Sequence, residues 1–129
     1  TLETATTWSN LETLKAAVTT ALTTALGESG TPALVLCHIS HVYPTGASLY
    51  FTIVAGQRGD ALEQWGKAKV AACEAISQNN GTISHHHAVG ADHRPWMTAE
   101  IGDLGVQVLR AVKQTLDPVG ILNPGKLIP

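Results

Sequence analysis

Ala33-Leu34-Val35-Leu36-Cys37-His38-Ile39-Ser40-His41-Val42, then Tyr43-Pro44-Thr45-Gly46, then Ala47-Ser48-Leu49-Tyr50-Phe51-Thr52-Ile53-Val54, is the stretch whose reading decides the fold. Two runs rich in β-branched and aromatic residues flank a Pro/Gly turn, which predicts a β-hairpin. In the second strand Leu49, Phe51 and Ile53 point to one face, and Ser48, Tyr50 and Thr52 to the other. The polar face is a candidate wall of a site. Whether His38 or His41 shares it depends on the turn register, because a slip of one residue exchanges the faces.

Helical patterns surround the hairpin. Ser9 followed by Glu12 forms a capping box, and Leu11, Leu14, Val18, Leu22 and Leu26 then predict an amphipathic helix over about residues 10–26. Its remaining surface is Thr and Ala, which suits contact with other protein more than with water. Asp60 with Glu63 caps a second helix with an inner stripe of Leu62, Trp65, Ala72 and Ile76, ending at Asn79-Asn80-Gly81. A short third strand over 81–84 then delivers His85-His86-His87. A helical turn begins near Pro95, and a last helix over 103–116 carries Leu104, Val108, Val112 and Leu116 until Asp117-Pro118 stops it. The pattern predicts an α+β fold, a mainly antiparallel sheet with helices packed on one face. Three strands are few, so further chain is expected to complete the sheet.

The chain has 129 residues, 44% of them hydrophobic and 14% charged, which suits a single domain over 1–129. A net charge of -2 offers no footprint for nucleic acid or for an anionic membrane. No apolar run approaches the ~18 residues that span a bilayer. Cys37 and Cys73 are far apart and without metal-ligand spacing, so reduced thiols in the cytoplasm are expected. The start, Thr1-Leu2-Glu3-Thr4, has neither an initiating Met nor a signal peptide and reads as the beginning of a piece of something longer.

Six histidines stand out. Along an extended segment His85 and His87 would face one way and His86 the other, so at most two would line one pocket. A metal site needs three or four convergent ligands. The further candidates His38, His41, His93 and scattered carboxylates have no recognised spacing, so no metal is predicted. Imidazole gives and takes protons near neutral pH, which makes the triplet an acid/base or anion-stabilising wall. A tyrosine in mid-strand is ordinarily core packing. Tyr50 would move a proton only if a neighbouring cation lowered its pKa from ~10, which histidines could do. Asn123-Pro124-Gly125-Lys126 is a turn that could hold a polar or anionic cofactor. A Gly-rich phosphate loop, a GxSxG elbow and a carboxylate pair are all missing.

Ser40-His41-Val42-Tyr43-Pro44-Thr45-Gly46-Ala47, Ile83-Ser84-His85-His86-His87-Ala88-Val89-Gly90, Arg94-Pro95-Trp96 and the tail from Leu116 to Lys126 together resemble the carboxy-terminal part of FAD-linked oxidases of the vanillyl-alcohol-oxidase type. Within that group the chain looks most like alkyldihydroxyacetonephosphate synthase and its microbial relatives. The Ser-His-His-His segment discriminates, since lactate- and glycolate-type members carry Glu-His-Gly-Ile-Gly there. The resemblance implies a cap, or substrate, domain over the flavin ring of FAD, with the FAD-binding domain amino-terminal to residue 1. It implies an alkylglycerone-phosphate synthase-like transferase, exchanging acyl for alkyl on dihydroxyacetone phosphate through a flavin N5 adduct in ether lipid synthesis. By position Tyr50 matches the catalytic tyrosine, and His85, His86 and His87 the essential histidines. Asn123, Gly125 and Lys126 would contact the cofactor.

The tail reads Asn-Pro-Gly-Lys, the oxidase form rather than that of animal synthases. An FAD-linked oxidase or dehydrogenase of a 2-hydroxy acid or alcohol is therefore the alternative, and a non-catalytic binding domain the second. Expected partners are the chain's own FAD-binding domain, a small-molecule or lipid-phosphate substrate, and a second copy in a homodimer, with no nucleic acid. The piece alone is expected to be inactive and to hold no FAD tightly. Any membrane attachment would come from other parts of the protein.

Overall fold

The hairpin forms where the sequence predicts it, between strands over Ala33–Val42 and Gly46–Ala55. A computed structural model describes residues Thr1–Pro129, and their contacts gather into two units, Thr1–His87 and Ala88–Pro129. In chain order the first unit holds β1 (Leu2–Thr7), α1 (Leu11–Glu28), β2 (Ala33–Val42), β3 (Gly46–Ala55) and α2 (Ala61–Gln78). The sheet runs β1-β3-β2 with both pairings antiparallel, so the fold is α+β as expected.

The third strand is β1 rather than 81–84. Leu2 sits opposite Phe51 on the same face of the sheet, and alternating threonines carry the strand onward. Residues 81–85 run beside the outer edge of β1 through separate bonds only. The Thr82 N–H donates to Ala5 O at 2.9 Å, the His85 N–H to Glu3 O at 3.1 Å, and the Thr4 hydroxyl to Thr82 O at 2.6 Å. Gly81 opens this segment where a Cβ would lie 2.8 Å from Thr4 Oγ1, 2.9 Å from Leu14 Cδ2 and 3.0 Å from Ile76 Cγ2.

The predicted leucine stripe of α1 is the core. Leu11, Leu14, Val18, Leu22 and Leu26 are buried together with Leu49 and Phe51. Burial of each such side chain contributes about 1.5–3 kcal/mol. The capping box does not form. A 3-10 turn at Trp8–Asn10 precedes the helix, and the Asn10 amide instead donates to Thr6 Oγ1 at 3.0 Å and Asn79 O at 2.7 Å. Those two bonds tie the start of α1 to β1 and to the end of α2. Asp60 does cap α2, accepting from the Leu62 and Glu63 N–H groups at 2.9 and 3.0 Å. The α2 stripe is shifted from the expected one. Gln64, Ala68, Ala72, Cys73 and Ile76 are buried, whereas Leu62 is 84% exposed. Spacing by four with two alanines allows close approach to α1, and the Gln64 amide bonds the carbonyls of Ser29 and Arg58.

The second unit contains a 3-10 turn at Arg94–Trp96 and α3 (Met97–Leu116), which begins earlier than the periodicity suggests. Gly102, at φ 73° and ψ 167°, breaks its helical path. Leu104, Val108, Val112 and Leu116 are exposed, so the predicted stripe is not a core face of this unit. Asp117 closes the helix by accepting from the Gly120, Ile121 and Leu122 N–H groups and from the Lys113 ammonium.

Gly46→Ala would place a Cβ inside contact with the Thr6 carbonyl, where β1 meets β3. The expected loss is about 1–3 kcal/mol of folding stability by denaturant titration. The Lys113 ammonium and the backbone donors hold the Asp117 carboxyl at about 2, below its ordinary 3.8. Its contribution to the helix end is therefore complete above pH 4 and is lost as pH falls toward 2. Carboxyl-detected NMR titration of Asp117 measures this directly.

Candidate active site

Three strands contribute one row of polar side chains. The registers pair Glu3 of β1 with Tyr50 of β3, and Tyr50 with His38 of β2. Glu3, Tyr50 and His38 therefore share the face opposite the leucine core. The Tyr50 and His38 rings lie 5.2 Å apart. A bulge between Ile39 and Val42 then answers the register question in an unexpected way. Regular alternation would send His38 and His41 to opposite faces, but the extra residue returns His41 to the face of His38. The His41 N–H and the Ser40 hydroxyl both meet Ser48 Oγ, at 2.9 and 2.6 Å.

Glu3 is the centre of this face, with a side chain only 4% exposed. Its Oε1 accepts from the Ser40 hydroxyl and lies 3.3 Å from His85 Nδ1 and 3.7 Å from His41 Nδ1. Its Oε2 lies 3.5 Å from His87 Nε2. Burial pushes the Glu3 carboxyl up, but hydrogen bonds from Ser40, His85 and Ser48 outweigh it and hold the group below its ordinary 4.5. A buried anion among imidazoles orients the rings and stabilises any positive charge they acquire.

All three histidines of the triplet reach this face, contrary to the strand-based expectation of two. His86 and Ala88 both adopt φ 61°, a left-handed backbone that ends the alternation. The His86 ring packs edge-on against His41 at 4.4 Å and lies 3.8 Å from His85. The His87 ring meets Tyr50 edge-on at 5.5 Å. Tyr50 is thus placed among histidines as the sequence suggests, through ring contacts.

Three participants escape the sequence reading, which does place Ser48 on the candidate wall. Glu3 stands in a strand the pattern does not mark, Ser40 looks like an ordinary polar strand residue, and Tyr43 like part of a turn. The Tyr43 hydroxyl hydrogen-bonds His85 Nε2 at 3.0 Å, and its carbonyl accepts from Trp8 Nε1 at 3.1 Å. The alternation of Leu2, Thr4 and Thr6 with Glu3 is the available signal for a carboxylate on the face opposite the core. Donor atoms of Glu3, His41, His85 and His86 fall within 4.8 Å of one another, a convergence the spacing did not reveal.

The residues read as cofactor contacts belong to the second unit. Asn123 and Gly125 have φ 43° and 73°, and the Arg94 guanidinium donates to Gly125 O at 3.1 Å. The Asn123 and Lys126 side chains are exposed, leaving an amide and an ammonium to meet a polar or anionic group.

The family described as FAD linked oxidases, C-terminal domain, matches residues 1–127. Alkyldihydroxyacetonephosphate synthase of Dictyostelium discoideum is 38% identical over 128 residues, 98% of this chain and 21% of that protein. The synthase of Trypanosoma brucei brucei is 39% identical over 105 residues, 81% of this chain and 17% of that protein. A solved alkyldihydroxyacetonephosphate synthase structure superposes on 95% of this chain and 19% of its own, with TM-score 0.59 and 30% identity. The chain spans about a fifth of the length of these curated relatives.

Glu3→Gln removes the anion while keeping its shape, and the expected cost at neutral pH is about 1–3 kcal/mol. Because the wild-type carboxyl titrates below its ordinary 4.5, its advantage is complete above that pH and fades as pH falls further. Stability curves of the two proteins should therefore converge in acid, and a gap that stays constant with pH would contradict this account.

Proposed function

Because this chain belongs to the C-terminal domain family of the FAD-linked oxidases, we propose that it forms the substrate-facing part of an FAD-dependent alkylglycerone-phosphate synthase-like enzyme. The reaction is exchange of acyl for alkyl on dihydroxyacetone phosphate, a step of ether lipid synthesis. The observation that carries the reading is the convergence of Tyr50 with His85, His86 and His87 on one face around the buried Glu3. This chemistry needs a base beside a carbonyl, an acid for the departing carboxylate, and donors for developing negative charge. A phenol and several imidazoles supply all of these.

Within this reading Tyr50 carries the substrate proton, and His87 stands against its ring as the neighbouring donor or acceptor. His85 is held between Tyr43 and Glu3, which fixes its ring as a polar edge of the substrate face. His86 is exposed beside His41 and supplies the acid for the departing carboxylate. When bound, FAD supplies the electrophilic, electron-handling centre. Asn123, Gly125 and Lys126 offer an amide, a bare backbone and an ammonium that suit its polar and anionic portions. The amino-terminal partner is the chain's own FAD-binding domain, and the cytoplasm, where Cys37 and Cys73 stay as free thiols, is the compartment that fits.

The Asn-Pro-Gly-Lys tail favours a second reading, an FAD-linked oxidase or dehydrogenase in which a histidine takes a hydroxyl proton from a 2-hydroxy acid or alcohol. Full-length protein separates the two. Exchange of labelled alkyl for acyl chains without bleaching of the flavin is the expected result, and bleaching by a hydroxy acid without exchange would replace the first reading with the second. Tyr50→Phe and His86→Ala should each lower turnover by about 10²–10⁴-fold, the range for loss of a positioned acid or base. Undiminished turnover in both variants would overturn the roles given to them.

A further inference from the structure

We infer that Glu3, His41, His85 and His86 form a binding site for one divalent cation of the zinc class, superimposed on the histidine wall and able to silence it. Cation binding follows from the four donors themselves; only the silencing rests on the catalytic reading of that wall.

The donor set is three imidazoles and one carboxylate, drawn from β1, the bulge of β2 and the histidine segment. Their ligand atoms lie within 4.8 Å of one another. With metal–nitrogen and metal–oxygen distances of about 2.0–2.2 Å, the edges of a tetrahedral site are roughly 3.3–3.5 Å. Glu3 Oε1 already stands 3.3 Å from His85 Nδ1 and 3.7 Å from His41 Nδ1. The remaining closure falls to His41 and His86, which are exposed and have room to turn.

The surroundings are those a metal site requires. Ligating imidazoles hold the proton of their other nitrogen against an outer partner, which fixes the tautomer. His85 Nε2 has that partner in the Tyr43 hydroxyl at 3.0 Å, and a cation at Nδ1 would displace the proton shared with Glu3, which Nε2 can carry toward Tyr43. The ligating carboxylate is braced as well, with Ser40 donating to Oε1 and His87 Nε2 lying 3.5 Å from Oε2. Nitrogen-rich coordination selects zinc, cobalt, nickel or copper over magnesium and calcium, which require oxygen cages. The buried negative charge of Glu3 favours a cation where three neutral rings alone would not.

An occupied site would engage the lone pairs of His85 and His86 together with the Glu3 anion. The wall then loses the His86 acid and the fixed ring of His85, while Tyr50 and His87 keep their ring contact outside the coordination sphere. Zinc should therefore act as a reversible inhibitor, and chelation should restore turnover.

The test uses chelator-stripped full-length protein titrated with Co²⁺. Expected is one cobalt per chain with the intense visible bands of a four-coordinate centre, displaced by Zn²⁺ and indifferent to Mg²⁺. His41→Ala removes an exposed ligand, and its melting curve reports whether the fold is kept. It should bind at least about 10-fold more weakly, the least that disturbance of such a site costs. Glu3→Gln should weaken binding in the same way. Only weak six-coordinate bands, or an affinity unchanged by His41→Ala in a folded protein, would overturn the site. Full turnover in saturating zinc would overturn its silencing role. The cobalt spectrum requires no substrate, so a protein that binds cobalt but never exchanges acyl for alkyl refutes the proposed function alone. One that exchanges chains but binds no cobalt refutes the cation site alone.

Discussion

A carboxylate that is 4% exposed must have hydrogen bonds and charge partners, and Glu3 takes them from the sheet beside it and from the segment that borders it. An isolated buried anion costs several kcal/mol, so its environment has to be complete for the fold to persist. Ser40 and Ser48 supply hydroxyls from the hairpin, while His41, His85 and His87 supply imidazoles. The same strand accepts hydrogen bonds along its outer edge from Thr82 and His85, so the backbone that carries Glu3 also positions its partners.

Two local departures from regular structure make the convergence possible. The bulge between Ile39 and Val42 turns His41 onto the face of His38 and Tyr50. The left-handed backbone at His86 keeps three consecutive rings on that face, where a strand would divide them. Both devices carry a conformational cost for non-glycine residues, and such costs concentrate where a protein performs chemistry. The leucine core beneath, from Leu11 to Leu26 against Leu49 and Phe51, is the rigid support that sustains them.

Much of this was legible beforehand. Hairpin ends, the α1 stripe and the Asp60 cap follow from local periodicity and turn chemistry, and all three are realised. Tyr50 and the triplet were legible as a motif. The Ser9 capping box failed because Asn10 found partners in Thr6 and Asn79, which are distant in sequence or outside the helix. Leu62 and the α3 stripe were misplaced for the converse reason: periodicity marks an apolar face without saying what covers it.

By itself, the sequence determined the hairpin, the three long helices, the antiparallel α+β class and the family, since these rest on patterns and motifs held within short stretches of chain. Only the tertiary structure decided that Glu3 would be the hub, that Tyr43 would hold His85, and that His41 would share a wall with the triplet. Glu3 and His85 are 82 residues apart, and no local pattern encodes such a pairing. It follows from the order β1-β3-β2, from a one-residue bulge, and from the edge bonds that bring two distant segments alongside one another.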